Sequence, residues 1–272
     1  MGVTLQATTT APPVRVSSER RWLGLVVPAV LLLGWWAATR NSQYGLIPSP
    51  AEVVSALVDL SAGTEGDAFS GSLPGHILAS MGRVYGAFLL ACLAALPLGL
   101  LIGRSRLAHV LLDPLLQVLR PIPVTAWLPM SMILFGLGAR SAFFLVALGA
   151  FFPILVNTIF AVRSVEPRLF EAAAMLGVSR TKMFPVVVLP ASLPGIFTGL
   201  RLGLGFAWVV IVVGEMTGVQ TGLGAMIMDA RQLSRTDVVV AGMVVIGALG
   251  FLSDLAVQSL GRRGLRWSPA HG

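Results

Sequence analysis

The chain has 272 residues, 56% hydrophobic and 11% charged, with a mean hydropathy of +0.85 and a formal net charge of +7. A soluble domain carries about 25% charged residues, so this chain lacks the polar surface to cover a water-facing globule and reads as an integral membrane protein. No basic stripe with interleaved aromatics lies outside the apolar runs, which argues against a nucleic-acid partner; Cys92 stands alone, and His76, His109 and His271 are too scattered for a metal site.

In chain order, residues 1–21 are rich in Thr, Ser and Pro and read as a disordered cytoplasmic tail. Arg20-Arg21 before an apolar run has the look of a signal n-region, even a twin-arginine one. Yet Leu23–Thr39 is long and rich in Trp, and it ends in Ala-Ala-Thr without a small-x-small cleavage site. Residues 22–39 are therefore expected to be an uncleaved first span. An extracytoplasmic loop follows over 40–75. Within it Ser49-Pro50 can start a helix at Glu52, and Gly63, Gly66 and Gly71 suggest a flexible surface loop. A helix needs about 20 apolar residues to cross a bilayer. Five further runs qualify: 84–103, 121–139, 141–162, 186–214, interrupted only by Arg201, and 238–260, with Asp254 near its end. None alternates as a barrel strand does, so the fold is all-α: six transmembrane helices, five of them in a core over 76–261, and a cytoplasmic tail over 262–272.

Six spans put both termini on one side. If that side is the cytoplasm, Arg15, Arg20, Arg21, Arg104, Arg106, Arg120, Arg163, Arg168, Arg180, Lys182, Arg262, Arg263 and Arg266 lie inside. Outside fall only Arg40, Arg140, Arg231 and Arg235. This is the asymmetry of the positive-inside rule, and it places residues 163–185 in the cytoplasm.

That loop does more than connect. Pro167 fits the first turn of a helix, and strong helix formers follow. Leu169, Ala172, Ala173 and Leu176 share one face. Gly177 stops the helix as glycine does at a left-handed C′ position. Ser179 can cap a second short helix from Arg180 to about Phe184, although Pro185 there is unusual. The product is a helix–Gly–helix elbow whose apolar face needs a partner.

The stretch EAAAMLGVSRTKMFPVVVLP resembles the cytoplasmic motif of ABC-importer permeases. Glu171-Ala172-Ala173 stands three residues before Gly177, nine more precede Val187, and Leu189-Pro190 closes the pattern. Only Val187 departs, standing where Ile is commoner. The similarity extends to Ile47-Pro-Ser-Pro50, Ala79-Ser-Met-Gly-Arg83, Leu119-Arg-Pro-Ile-Pro123, Ala126-Trp-Leu-Pro129, Phe151-Phe-Pro153 with Asn157-Thr158, Gly199-Leu-Arg201, Glu215-Met216, Gly222-Leu-Gly224 and Leu265-Arg-Trp267. Together these resemble the nitrate/sulfonate/taurine/bicarbonate branch, with a likeness to aliphatic sulfonate permeases. The resemblance implies a type I ABC-importer permease fold in the bacterial inner membrane. It also implies a second permease copy, two ATP-binding subunits below and an extracytoplasmic binding protein or lipoprotein above. Glu171, Ala172, Ala173, Gly177, Leu189 and Pro190 are then the ATPase-coupling residues. The chain itself needs no cofactor; ATP and Mg belong to the partner ATPase.

Several features have plainer readings. Gly177-Val-Ser-Arg-Thr-Lys182 lacks the ending of a phosphate loop, and Gly203-Leu-Gly205 fails as a dinucleotide fingerprint. Gly199, Gly203 and Gly205 allow close helix approach, within the chain or between copies. Arg201 in a span is costly unless it faces protein or a wet cavity. It is a candidate pathway residue, or the partner of an acid such as Asp113 or Glu166. Glu215, Met216 and Trp208 are further candidates for the pathway or an outer gate; a structural hydrogen bond is the alternative for Glu215. The chain is expected to break no bond. A stand-alone secondary transporter of a small organic anion is the alternative, but it would show inverted repeats and intramembrane acids, which the sequence does not.

Overall fold

A computed structural model describes residues 23–40 and 47–264. The tail over 1–21, the end of the chain from Leu265 and the Arg20-Arg21 pair lie outside the described residues. The chain divides into two compact units, Met1–Glu52 and Val53–Gly272.

In the first unit, α1 (Leu23–Thr39) is apolar over its length. Trp35 Nε1–H donates to the Pro48 carbonyl at 3.1 Å. Ser49 and Glu52 form a reciprocal capping box: the Ser49 N–H reaches Glu52 at 2.7 Å, and the Glu52 N–H reaches the Ser49 hydroxyl at 3.3 Å. Helix α2 (Pro50–Ala62) accordingly begins at Pro50, two residues before the expected start.

The second unit is built on α3 (Leu73–Arg104), α6 (Ala139–Arg163) and α9 (Leu189–Glu215). Close approaches fix their directions. A Cβ on Gly99 would meet Thr158 at 2.8 Å, and one on Gly103 would meet Val162 at 2.7 Å, so α3 and α6 run parallel. A Cβ on Gly199 would meet Asn157 at 2.8 Å, and one on Gly203 would meet Ile154 at 2.6 Å, so α9 runs antiparallel to α6. Gly199 and Gly203 thus serve packing within the chain, whereas nothing lies within 4 Å of a Cβ on Gly205. Helix α11 (Thr236–Gly264) packs against α9, and α10 (Leu223–Gln232) joins the two.

Parallel α3 and α6 require the chain between them to return from one end of the bundle to the other. It does so through α4 (Arg106–Leu119), a 3₁₀ turn (Val124–Trp127) and α5 (Leu128–Phe135). This corrects the expected straight span over 121–139. The two segments meet at 86° across a break of a few residues. Pro121 and Pro123 lack the N–H groups that would carry a helix through, and Gly136 at φ 78° and Gly138 at φ 108° end the short α5. Four helices are long and apolar enough to cross a membrane among the described residues, with this bent pair as a fifth candidate.

The glycine-rich stretch after α2 is also not the loose loop expected. Buried Asp59 organises it. Its carboxylate accepts from the Glu65 N–H at 2.5 Å, the Ser70 hydroxyl at 2.8 Å and the Thr64 hydroxyl at 3.1 Å, while its carbonyl takes the N–H groups of Gly63 and Gly71. Burial pushes the Asp59 carboxyl up, but these hydrogen bonds outweigh it and hold the group below the usual carboxylate range.

Candidate functional site

The elbow forms as its residues dictate. Helix α7 (Pro167–Met175) starts at proline and ends at Gly177, whose φ is +79°. The Val178 N–H bonds to the Ala173 carbonyl at 3.0 Å and the Gly177 N–H to the Ala174 carbonyl at 3.0 Å. This is a Schellman stop, and it needs the left-handed residue that glycine provides. A four-residue helix, α8 (Arg180–Met183), follows. Ser179 precedes it without a side-chain cap; its hydroxyl pairs with Thr181 instead. Pro185 then finds its physical reason. Residues Phe184–Val188 form a π turn, closed by the Leu189 N–H on the Phe184 carbonyl. The turn absorbs a proline that an α-helical register would leave in steric conflict. Leu189 and Pro190 open α9 from this turn.

Of the expected apolar stripe only Ala173 is buried. Met175 and Leu176 are 83% and 85% exposed, and Glu171 and Ala172 also face out. The elbow is anchored by Ala173 and by Arg104 at the end of α3, whose guanidinium lies 4.9 Å over the Phe184 ring.

At the opposite end of the bundle, Glu215 closes α9 and is 1% exposed. Three donors converge on it. Ser80 donates its hydroxyl at 2.8 Å, Arg83 its Nη1 at 2.5 Å and Gly224 its N–H at 2.9 Å. The Ser80 hydroxyl in turn accepts from the Leu223 N–H, and His76 Nδ1 accepts from the Gly222 N–H. The cradle leaves no room for side chains: a Cβ on Gly222 would fall 2.4 Å from the Glu215 carboxyl carbon, and one on Gly224 would fall 2.7 Å from the Val212 carbonyl. Glu215 therefore ties α3, α9 and the start of α10 together as a structural knot. Met216 caps α9 beside it. The residues that sequence reasoning missed, His76, Ser80 and Arg83, stand at i, i+4 and i+7 on the polar first turns of α3. That helical spacing was the available signal.

Arg201 pairs with neither Asp113 nor Glu166. Its Nε and Nη2 each donate to an oxygen of Asp254 at 2.7 Å, a bidentate bridge from α9 to α11. Trp208, about two turns further along α9, donates Nε1–H to the Ser253 hydroxyl at 3.0 Å. Tyr85 meets the same hydroxyl at 2.8 Å and stacks edge-on against Trp208. The candidate pathway residues thus occupy three separate places, each in a satisfied contact, rather than one site. A fourth cluster fixes the loop after α2: Arg235 binds both Asp67 and Asp237. The Arg235 guanidinium, with the Phe69 N–H, holds the Asp67 carboxyl below its ordinary range.

Residues 95–265 match the family described as the binding-protein-dependent transport system inner membrane component. The chain belongs to that family. The permease is 38% identical to the putative aliphatic sulfonates transport permease of Bacillus subtilis over 95% of this chain and 94% of that one. It is 36% identical to the taurine transport system permease of Escherichia coli, over 92% and 91%. Its fold matches a structure of the MetNI methionine ABC transporter in inward-facing conformation, with a TM-score of 0.61 at 19% identity over 71% of this chain and 95% of that one. The permease is an inner-membrane subunit of an ABC transporter, and membership implies ATP-binding and substrate-binding partners.

Proposed function

We propose that the permease forms the translocation path of an ATP-driven importer for a small oxyanion. An aliphatic sulfonate or taurine ranks first, with nitrate or bicarbonate next. In this reading α1, the bent pair and the four long helices make six crossings, with both termini cytoplasmic. Two copies share the pore. The elbow of each seats in one of two ATPase subunits, which bind ATP and Mg, and an extracytoplasmic protein delivers the solute.

The observation that carries the coupling role is the elbow itself: a Schellman-stopped helix that holds Met175 and Leu176 in the open, on a backbone pinned by Ala173. Apolar side chains presented on an ordered protrusion favour burial by a partner. ATP closure of the partner subunits would move the two elbows, and the helices would rock between inward- and outward-open states. The chain does conformational work and breaks no bond.

Co-purification with the ATPase subunit tests this. Glu171→Lys reverses a charge on the exposed face, and Gly177→Pro demands φ near −65° where the backbone needs +79°. Both variants should lose ATPase retention and solute-stimulated hydrolysis. Full stimulation in either one removes the coupling role. Substrate is read separately, by uptake into proteoliposomes across a panel of sulfonates, nitrate and bicarbonate. The secondary-transporter alternative predicts uptake without ATP, and family membership disfavours it.

A further inference from the structure

The break between α4 and α5 does more than turn the chain. Irregular backbone at membrane depth is tolerated only where protein buries it or where it lines a wet cavity. Here residues 120–124 line a cavity of about 370 Å³, walled by α6 and α9. Arg120, Ile122, Phe152, Asn157, Leu202 and Phe206 face it. Phe152 lies eleven residues from the Arg163 end of α6, about 16 Å along the axis, and Leu202 lies about 20 Å from the start of α9. In a hydrocarbon core of about 30 Å, the cavity reaches the middle.

Two of its lining side chains are polar, Arg120 and Asn157. Arg201 and Arg83 are each held by a carboxylate. Among the described residues no carboxylate pairs with Arg120. Asp113 lines the adjoining cavity with Arg120 but accepts from Gln117 at 2.6 Å, with His109 at 3.8 Å. Asn157 gives one N–H to the Pro153 carbonyl at 2.8 Å, which leaves its second N–H for another acceptor. Arg120 is exposed, at the mouth of the cavity toward the Arg163 end of α6, and Asn157 is half-buried. A guanidinium free of carboxylates and an amide N–H, with aromatic and aliphatic walls, complement a small anion whose charge sits on oxygen.

We infer that this cavity is a station for the transported oxyanion on its way to the cytoplasm, with exposed Arg120 at its mouth as charge partner and Asn157 as its hydrogen-bond donor. The assignment rests on the reading of the permease as an oxyanion importer. It replaces Arg201, Glu215 and Trp208 as the residues that meet solute.

The test uses the complete importer, with its ATPase, in nanodiscs. Val124→Cys, at a lining position with no assigned role, is made with Cys92→Ala, so that one thiol reports on the cavity. It should react with a water-soluble methanethiosulfonate reagent. Ethanesulfonate or nitrate should slow that reaction, chloride at equal ionic strength should not, and Arg120→Gln should abolish the protection. Uptake by Arg120→Gln should fall about ten- to hundredfold, the range for losing a hydrogen bond to a charged group, and Arg120→Lys should recover most of it. An unreactive Val124→Cys, or equal rates with and without the oxyanions, overturns the station. So does protection that requires anionic lipid and ignores the solute, which would make the cavity a headgroup site. The labelling uses native Arg120, so it decides the matter even if Arg120→Gln fails to assemble. Failure of the unmodified importer to take up any oxyanion in the panel overturns the importer reading instead.

Discussion

The Glu215 knot makes a prediction that can be worked from its geometry. The carboxylate is fully buried, and the Arg83 side chain beside it is 15% exposed. Removing one partner of a buried pair leaves the other uncompensated, at about 3–5 kcal/mol. Arg83→Gln strands the carboxylate, which cannot reach water. Glu215→Gln strands the guanidinium, which can, so it should cost less. The double variant removes both charges and should be less damaging than the sum, with a coupling of about 1–3 kcal/mol. Gly222→Ala attacks the same knot sterically, since its Cβ would lie 2.5 Å from both carboxylate oxygens. It should match Arg83→Gln, with a loss on the order of 10 °C in Tm at roughly 2–4 °C per kcal/mol. Thermal unfolding of the detergent-purified complex measures all four variants. If the two charge variants add to within about 0.5 kcal/mol, or Gly222→Ala melts like the parent, the cradle is not holding these helices.

Arg201→Ala should leave complex assembly intact and lower uptake. Because the pair is bidentate, Asp254→Ala should do the same, and the double variant should be no worse than either; reconstituted uptake decides, and additive losses would separate the two residues. The Asp67 carboxyl is depressed in the folded protein, so its contribution is complete above an unfolded value of about 3.9 and is lost as pH falls through the lower folded value. Carbon-detected NMR should find Asp67 titrating below an exposed aspartate, and Arg235→Gln should move it upward; an unmoved midpoint refutes the pairing. Trp208→Phe keeps the ring but loses the bond to Ser253, at about 1 kcal/mol. Denaturation should register that loss while uptake stays near normal if Trp208 is structural.

Much of the molecule was legible in its residues. Long uncharged runs announced helices because a bilayer offers the backbone no other partner. The elbow was readable residue by residue, since Pro167 and Gly177 act through local backbone geometry alone. Legibility failed where contacts are long-range. Hydropathy marked 121–139 as one span because its composition is apolar, yet Pro121 and Pro123 and the parallel setting of α3 and α6 force a bent return. The loop after α2 looked loose because glycines dominate it, but buried Asp59 in the last turn of α2 ties it down.

The sequence by itself determined the solvent this protein lives in, its all-helical character and the elbow, because each depends on neighbours within a few residues. Only the tertiary structure decided what the charges do. Arg201 finds Asp254 across 53 positions, and Glu215 finds Arg83 across 132. In a low-dielectric interior a charge is defined by its partner, and partners that far apart in the chain meet only through the packing of α3, α6, α9 and α11.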